Sequence, residues 1–243
     1  MSKTNHMPNS EQVRIWEHFQ YCAGVIAEVR KGKSIVLVHN GDAIDGNHHG
    51  TLQIAPRLPN EQKDIHVELM MHFQKRVGFT RGDRLYYTIG TEVHTGDIEH
   101  KIGEDLGAVE TPDGVRAFDE LLLEINGKRI QWTHHGPRAG DGPNRGNAFR
   151  NWLRNRFYDE INEGQVPPHF IITGHTHDPF WQIFIGRYQG EYFSVRGLIS
   201  PSWQAKTRYA HSKAPLVKNK IGLQYFVVTK DGTISDPVEL LMK

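Results

Sequence analysis

Four times along this 243-residue chain an apolar run stops near a glycine or proline and delivers Asp, Glu or His at once: "SIVLVHNGDAID", "DRLYYTIGTEVH", "RIQWTHHGP" and "HFIITGHTHD". Short continuous apolar runs are the pattern of strands covered on both faces of a sheet. In layered α/β folds the loops that leave the carboxyl ends of strands converge on one side, and ligands bind there. The four ends, near residues 40, 90, 134 and 174, are therefore expected to meet at one site. Taken alone, "GHTH" is more often a polar loop with two surface or structural histidines; its company in the chain decides against that.

The segments between these ends have helical or hairpin patterns. Asn9 or Ser10 is placed to cap a helix reaching about Val29, with Val13, Trp16, Ala23, Ile26 and Ala27 along one stripe. A second helix is expected over about Asn60 to Arg76, and a third in "NAFRNWLRNRFYDEINEG". Asn126-Gly127 and Asp231-Gly232 are dipeptides suited to tight hairpin turns, and "WQIFIGRYQGEYFSVRG" has the pattern of paired strands. Its aromatic residues, Trp181, Phe184, Tyr188, Tyr192 and Phe193, are expected in sheet core and cross-strand pairs and not as a base-stacking platform. No repeat, low-complexity tract or linker divides the chain, so a single domain over 1–243 is expected.

Composition narrows the function classes. Lys+Arg 29 against Asp+Glu 28 leaves no global basic field, so nucleic acid is not indicated by charge. A single cysteine excludes an internal disulfide and a cysteine-rich zinc ribbon, and fits a reducing compartment. No apolar run is long enough to span a bilayer, and the opening "MSKTNHMPNS" lacks the apolar core of a signal peptide. A cytoplasmic protein without a membrane partner is the expectation. The 15 histidines are the unusual count, because neutral imidazole is the commonest side-chain ligand for transition metals. Imidazoles mixed with carboxylates suit zinc, manganese, iron or nickel. Two such ions about 3.5 to 4 Å apart can bind a phosphate ester and lower the pKa of a water between them.

"GDAID" at 41–45, "THHGP" at 133–137 and "GHTH" at 174–177 together resemble ordered blocks of the calcineurin-like metallophosphoesterases: G-D-x-x-D, a mid-chain histidine, and G-H-x-H. Each block alone is weak, and their order over roughly 135 residues carries the likeness. The resemblance implies a two-sheet sandwich flanked by helices in a four-layer αββα arrangement, and a phosphate ester as the substrate. It implies divalent metal ions, two in number, of manganese, iron, zinc or nickel, and hydrolysis of a phosphomonoester or phosphodiester by a metal-activated water. Position by position, Asp42 matches the carboxylate that bridges both ions, His134 and His175 match ligands of the second ion, and His177 matches a ligand of the first. His135 and Asp45 match supporting positions behind the ligands. Arg138 and Arg145, in the glycine-rich "GPRAGDGPNRG", are candidates for phosphate binding, since guanidinium pairs with phosphate oxygens through two hydrogen bonds.

The chain departs from the family twice. Its third block is "GTEVHTGD" where the family has G-N-H-[ED]; Glu92 is the candidate replacement ligand, and His94, oriented by Asp97, the candidate to contact the phosphate or protonate the leaving group. No D-x-H precedes "GDAID", although in the family that block supplies ligands to the first ion. The chain is accordingly expected to be an N-terminally shortened copy, with His6, His48 and His49 as residual candidates to refill the site. A partner chain or a second copy completing the sheet is one expectation from that departure. Another is a metallophosphoesterase-fold binding or scaffold protein that keeps a single metal site and no longer turns over.

Overall fold

The computed structural model describes residues 7–46, 56, 58–91, 97–205 and 220–243. Helix α1 spans Ser10–Arg30, and Asn9 caps it: its side chain accepts from the Gln12 amide while the Gln12 side chain accepts from the Asn9 amide. This reciprocal pair satisfies two amides that helix geometry leaves without partners. Strand β1 follows at Val36–Asn40, helix α2 at Pro59–Val77, strand β2 at Arg84–Thr88 and helix α3 at Ile98–Leu106. Next come the hairpin β3 (Glu120–Ile125) and β4 (Lys128–Thr133), helix α4 (Asn147–Asn162), and β5 (Phe170–Thr173). A second hairpin, β6 (Phe180–Tyr188) and β7 (Glu191–Ile199), precedes β8 (Gly222–Tyr225) and β9 (Val238–Leu241). Both of these hairpins turn at residues with positive φ, Asn126-Gly127 and Gln189-Gly190, the two-residue geometry whose twist matches that of the strands.

Strands β1 and β2 pair in parallel, and five strands form a mixed sheet in the order β3-β4-β5-β7-β6. Side chains alternate across each strand, and the core divides accordingly. Leu85 and Tyr87 face Met70 of α2 and Ile98 and Ile102 of α3, while Val38 and Tyr86 turn the other way to meet Ile130, Trp132, Phe170 and Ile172 of the larger sheet. On the far face of that sheet, Ile171, Phe184, Val195 and Ile199 pack against Phe149, Leu153 and Phe157 of α4. Helices, sheet, sheet and helix thus make four layers, the α/β sandwich expected from the sequence. Strands β8 and β9 form a small antiparallel pair, and Leu223 of β8 packs with the α1–α2 cluster around Phe19 and Phe73. No described helix is long and apolar enough to cross a membrane.

Parallel pairing is what positions the site. Asn40 lies level with Thr88 in one sheet, and Thr133 with Thr173 in the other, so strand ends of one polarity share one edge of the sandwich. Asn40 ties the two sheets together there. Its side-chain oxygen accepts from the Thr88 hydroxyl at 2.9 Å, and its amide donates to the Thr133 carbonyl at 3.2 Å.

Candidate metal centre

Beyond Asn40 the chain enters Gly41 and Asp42 with both residues at positive φ. Six described residues other than glycine hold positive φ. Lys31 ends a helix, and Asn126 and Gln189 occupy hairpin turns. The other three are Asp42, His175 and His177. A side chain at positive φ is sterically costly, and such residues persist where the surrounding structure fixes them. Three of the sequence-derived ligand candidates therefore share a conformation that local turn chemistry does not require.

The close approach of four backbone segments explains why glycines flank them. A Cβ on Gly41 would lie 2.6 Å from Cγ of His134 and 2.9 Å from Cα of Gly90, and one on Gly90 would lie 2.9 Å from Cα of Asp42. A Cβ on Gly174 would stand 2.9 Å from the Asn40 carbonyl oxygen. The loops after β1, β2, β4 and β5 thus touch one another, as the four polar strand ends foretold.

Asp42 is the hub. Its Oδ1 accepts from the Thr91 amide at 2.7 Å, and its Oδ2 lies 2.9 Å from Nε2 of His134 and 3.9 Å from Nδ1 of His175. Thr91 Oγ1 stands 3.5 Å from His134 Nε2 and 3.3 Å from His175 Nδ1. His134 is buried, and its Nδ1 donates to the Asn40 carbonyl at 2.7 Å, which turns Nε2 toward Asp42. Burial works to raise the Asp42 pKa, but hydrogen bonds from His134, His175 and the Thr91 amide outweigh it and hold the carboxyl well below its ordinary range. For His134, burial opposes the charged ring while the Asp42 carboxylate favours it, and the pKa rises.

His135 joins this group. One ring nitrogen each from His134, His135 and His175 lies within 4.8 Å of the others, a spacing that could hold a metal ion. Burial, then the neighbouring His134 and His175, lowers the His135 pKa. His177 is not one of the three; burial takes its pKa down to about 4, partly opposed by the Asp42 charge. Both rings are thus favoured in the neutral form that ligates metal.

The remaining sequence-derived residues sort as follows. Asp45 accepts from the Gln204 amide at 2.6 Å, and Asp97 pairs at the surface with Lys101. Arg145 is tied to Asp178, just beyond His177, and its guanidinium sits over the Phe180 ring. Arg138 is exposed on the loop after His135. Glu92, His94, His6, His48 and His49 lie outside the described residues.

Several supporting residues carried no signal in the sequence. Buried Glu99 of α3 accepts from the Ala43 amide at 3.2 Å. Gln62 of α2 accepts from the Gly46 amide at 3.0 Å and donates to the Gly46 and Pro56 carbonyls. These helices grip the 41–46 turn from behind. Beneath it, the His39 ring stacks on Tyr87, whose hydroxyl is 2.9 Å from His66 Nε2. Burial takes the His39 pKa down to about 4 and that of His66 well below its ordinary value, so this layer stays uncharged. Helical spacing alone could not mark Gln62, His66 or Glu99 as inward-facing polar groups.

No protein-family model and no curated protein matches the chain. Solved structures of similar shape include a predicted phosphoesterase from Streptococcus pneumoniae, 14% identical over 90% of each chain with a TM-score of 0.27. They also include Vacuolar Protein Sorting 29 from Cryptosporidium parvum, 14% identical over 85% of this chain and 97% of the other, with a TM-score of 0.29. Likeness at these values lends no activity, ligand or partner to this chain.

Proposed function

We propose that the chain is a metal-dependent phosphoesterase whose metal centre is built on Asp42, His134 and His175, with His135 and His177 completing the imidazole set. One observation carries the reading: Asp42, His175 and His177 are all held at positive φ at one end of the sandwich, where an ionised carboxylate meets imidazoles from two other loops. The donors suit a first-row divalent ion, because burial favours a neutral ring at His177 and, together with the neighbouring His134 and His175, at His135, and hydrogen bonds favour the charged form of Asp42. When bound, such an ion supplies positive charge that lowers the pKa of a water and attracts phosphate oxygens.

The chain's own groups do the positioning. The Thr91 amide holds one Asp42 oxygen and leaves the other directed at His134 and His175. The Asn40 carbonyl orients the His134 ring through Nδ1. His135 and His175, both exposed, are the imidazoles of this set open to an arriving ester. Arg138 is the exposed cation nearest in sequence to the paired histidines, while the Arg145 charge is already engaged by Asp178.

The test is metal content by mass spectrometry and hydrolysis of aryl phosphate mono- and diesters, on wild type and on His134→Ala and His175→Ala. Metal uptake and hydrolysis are both expected in the wild type and lost in each variant, with unchanged circular dichroism. Hydrolysis that survives both substitutions would overturn the assignment. Three imidazoles at ligating distance suffice for a single ion, which favours a second reading, a binding module; about one bound ion without turnover would establish that reading instead.

A further inference from the structure

The five-stranded sheet ends on β6, and its outer side has no strand partner among the described residues. This edge differs from the one at the other end. Strand β3 exposes Glu120 and Glu124, charges of the kind that discourage edge-to-edge pairing. Strand β6, FWQIFIGRY, is nine residues long, pairs with β7 without a bulge, and exposes Trp181 at 43%, Ile183 at 36% and Ile185 at 62%. At about 3.3 Å per residue it offers roughly 30 Å of open edge. Arg187 is its one charged residue.

The direction of its free backbone groups follows from the hairpin. The two-residue turn at Gln189-Gly190 makes Tyr188 and Glu191 the closing hydrogen-bonded pair. Antiparallel pairing alternates, so Phe180, Gln182, Phe184, Gly186 and Tyr188 direct their amides and carbonyls to β7. Trp181, Ile183, Ile185 and Arg187 direct theirs outward. The exposed apolar side chains and the open backbone groups therefore belong to the same residues.

We infer that β6 is a homodimer interface, at which a second copy adds its own β6 antiparallel about a two-fold axis at Phe184 and doubles the five-stranded sheet. The sequence of the strand is complementary to itself in that register. Ile183 meets Ile185 of the other copy, and Trp181 meets Arg187, which already lies 5.2 Å over the ring of exposed Tyr192. Each guanidinium would then have an aromatic ring of each copy to contact. All nine residues pair, with outward-facing groups opposite outward-facing groups, as closed two-fold symmetry requires. A repulsive element is also present. A cleft of about 420 Å³ between α4 and Phe184 is lined by Arg150 and Arg154 together with Asn147 and Asn151. The symmetry brings two such clefts toward the axis. Added salt screens that repulsion, so the dimer tightens as ionic strength rises, the reverse of an interface held by opposite charges.

Sedimentation equilibrium of the full chain at several concentrations and two salt levels tests the inference. A reversible dimer that strengthens with salt is expected. Ile185→Lys places a charge in the paired face, and Ile183→Pro removes an amide that points outward while leaving the bonds to β7 intact. Both variants are expected to be monomers with wild-type circular dichroism. A wild-type chain that remains monomeric throughout would overturn the interface. Dimers that persist in Ile183→Pro while Ile185→Lys is monomeric would overturn strand pairing.

Discussion

Gly90 lies outside the left-handed region, so placing alanine there tests packing at the candidate metal centre without a backbone penalty. The added Cβ would stand 2.9 Å from Cα of Asp42, 2.5 Å from its Oδ1, and closer still to its amide nitrogen. Ordinary contacts lie near 3.5 to 4 Å, and the amide nitrogen is the nearest atom, so Asp42 or the loop after β2 must shift by about 1 Å or more. The neighbour is backbone and cannot rotate away. Overpacking of this kind costs about 1–3 kcal/mol, and the backbone contact places Gly90→Ala near the upper value. For a chain of this size that lowers the melting temperature by about 6 to 12 °C. The displaced atom set is the one that faces His134 and His175, so metal affinity should fall about 10- to 100-fold. Thermal unfolding by circular dichroism and calorimetric titration with manganese read the two effects. Gly82→Ala is the control, because its nearest contact would be 3.7 Å; it should melt with the wild type or slightly above it. If Gly90→Ala also melts and binds metal as the wild type does, the account of the strand ends as one close-packed site is refuted.

Two further perturbations probe the supports. Glu99→Gln keeps an acceptor for the Ala43 amide, whereas Glu99→Ala leaves that amide without it; the alanine variant should lose about 2 kcal/mol and bind metal more weakly, with glutamine near wild type. Thermal shift and metal titration distinguish them, and the opposite order would refute the role given to Glu99. Asp83 has a fully buried side chain that accepts from the Ile35 amide and from the Thr80 amide and hydroxyl, and pairs with Arg30 at 3.1 Å. Burial raises its pKa, but these partners outweigh burial and lower it. A lowered carboxylate pKa contributes stability that is full above the unfolded value, about 3.9, and is lost as pH falls through the folded value. Asp83→Asn should therefore cost about 3 kcal/mol near neutrality. The gap from wild type should narrow below about pH 4 in urea unfolding, and a gap constant with pH would contradict the linkage.

Much of the architecture was legible in the order of residues. The asparagine cap of α1, the Asn126-Gly127 turn of the β3–β4 hairpin, and the apolar runs of β1, β2, β4 and β5 are local signals, and each lies where its pattern placed it. Helix α3 gave no comparable mark, because its nine residues follow a polar glycine-containing stretch and show one short apolar face. The neighbouring Glu92 and His94, read from the same stretch, lie outside the described residues.

The sequence by itself determined which residues could be ligands and which strand ends would carry them, because side-chain chemistry and alternation along a strand are properties of neighbours in the chain. Only the tertiary structure decided which of them meet. Asp42, His134 and His175 are far apart in sequence and close in space because parallel strands in two facing sheets end at one edge. His135 joins His134 and His175 at ligating distance, while Asp97 turns to Lys101 and Arg145 to Asp178. Gln62, Glu99 and Asn40 acquire their roles from the same convergence. A polar side chain becomes a support when packing brings a backbone group within hydrogen-bond reach and removes the water that would otherwise bind it, and both conditions exist only after the layers close.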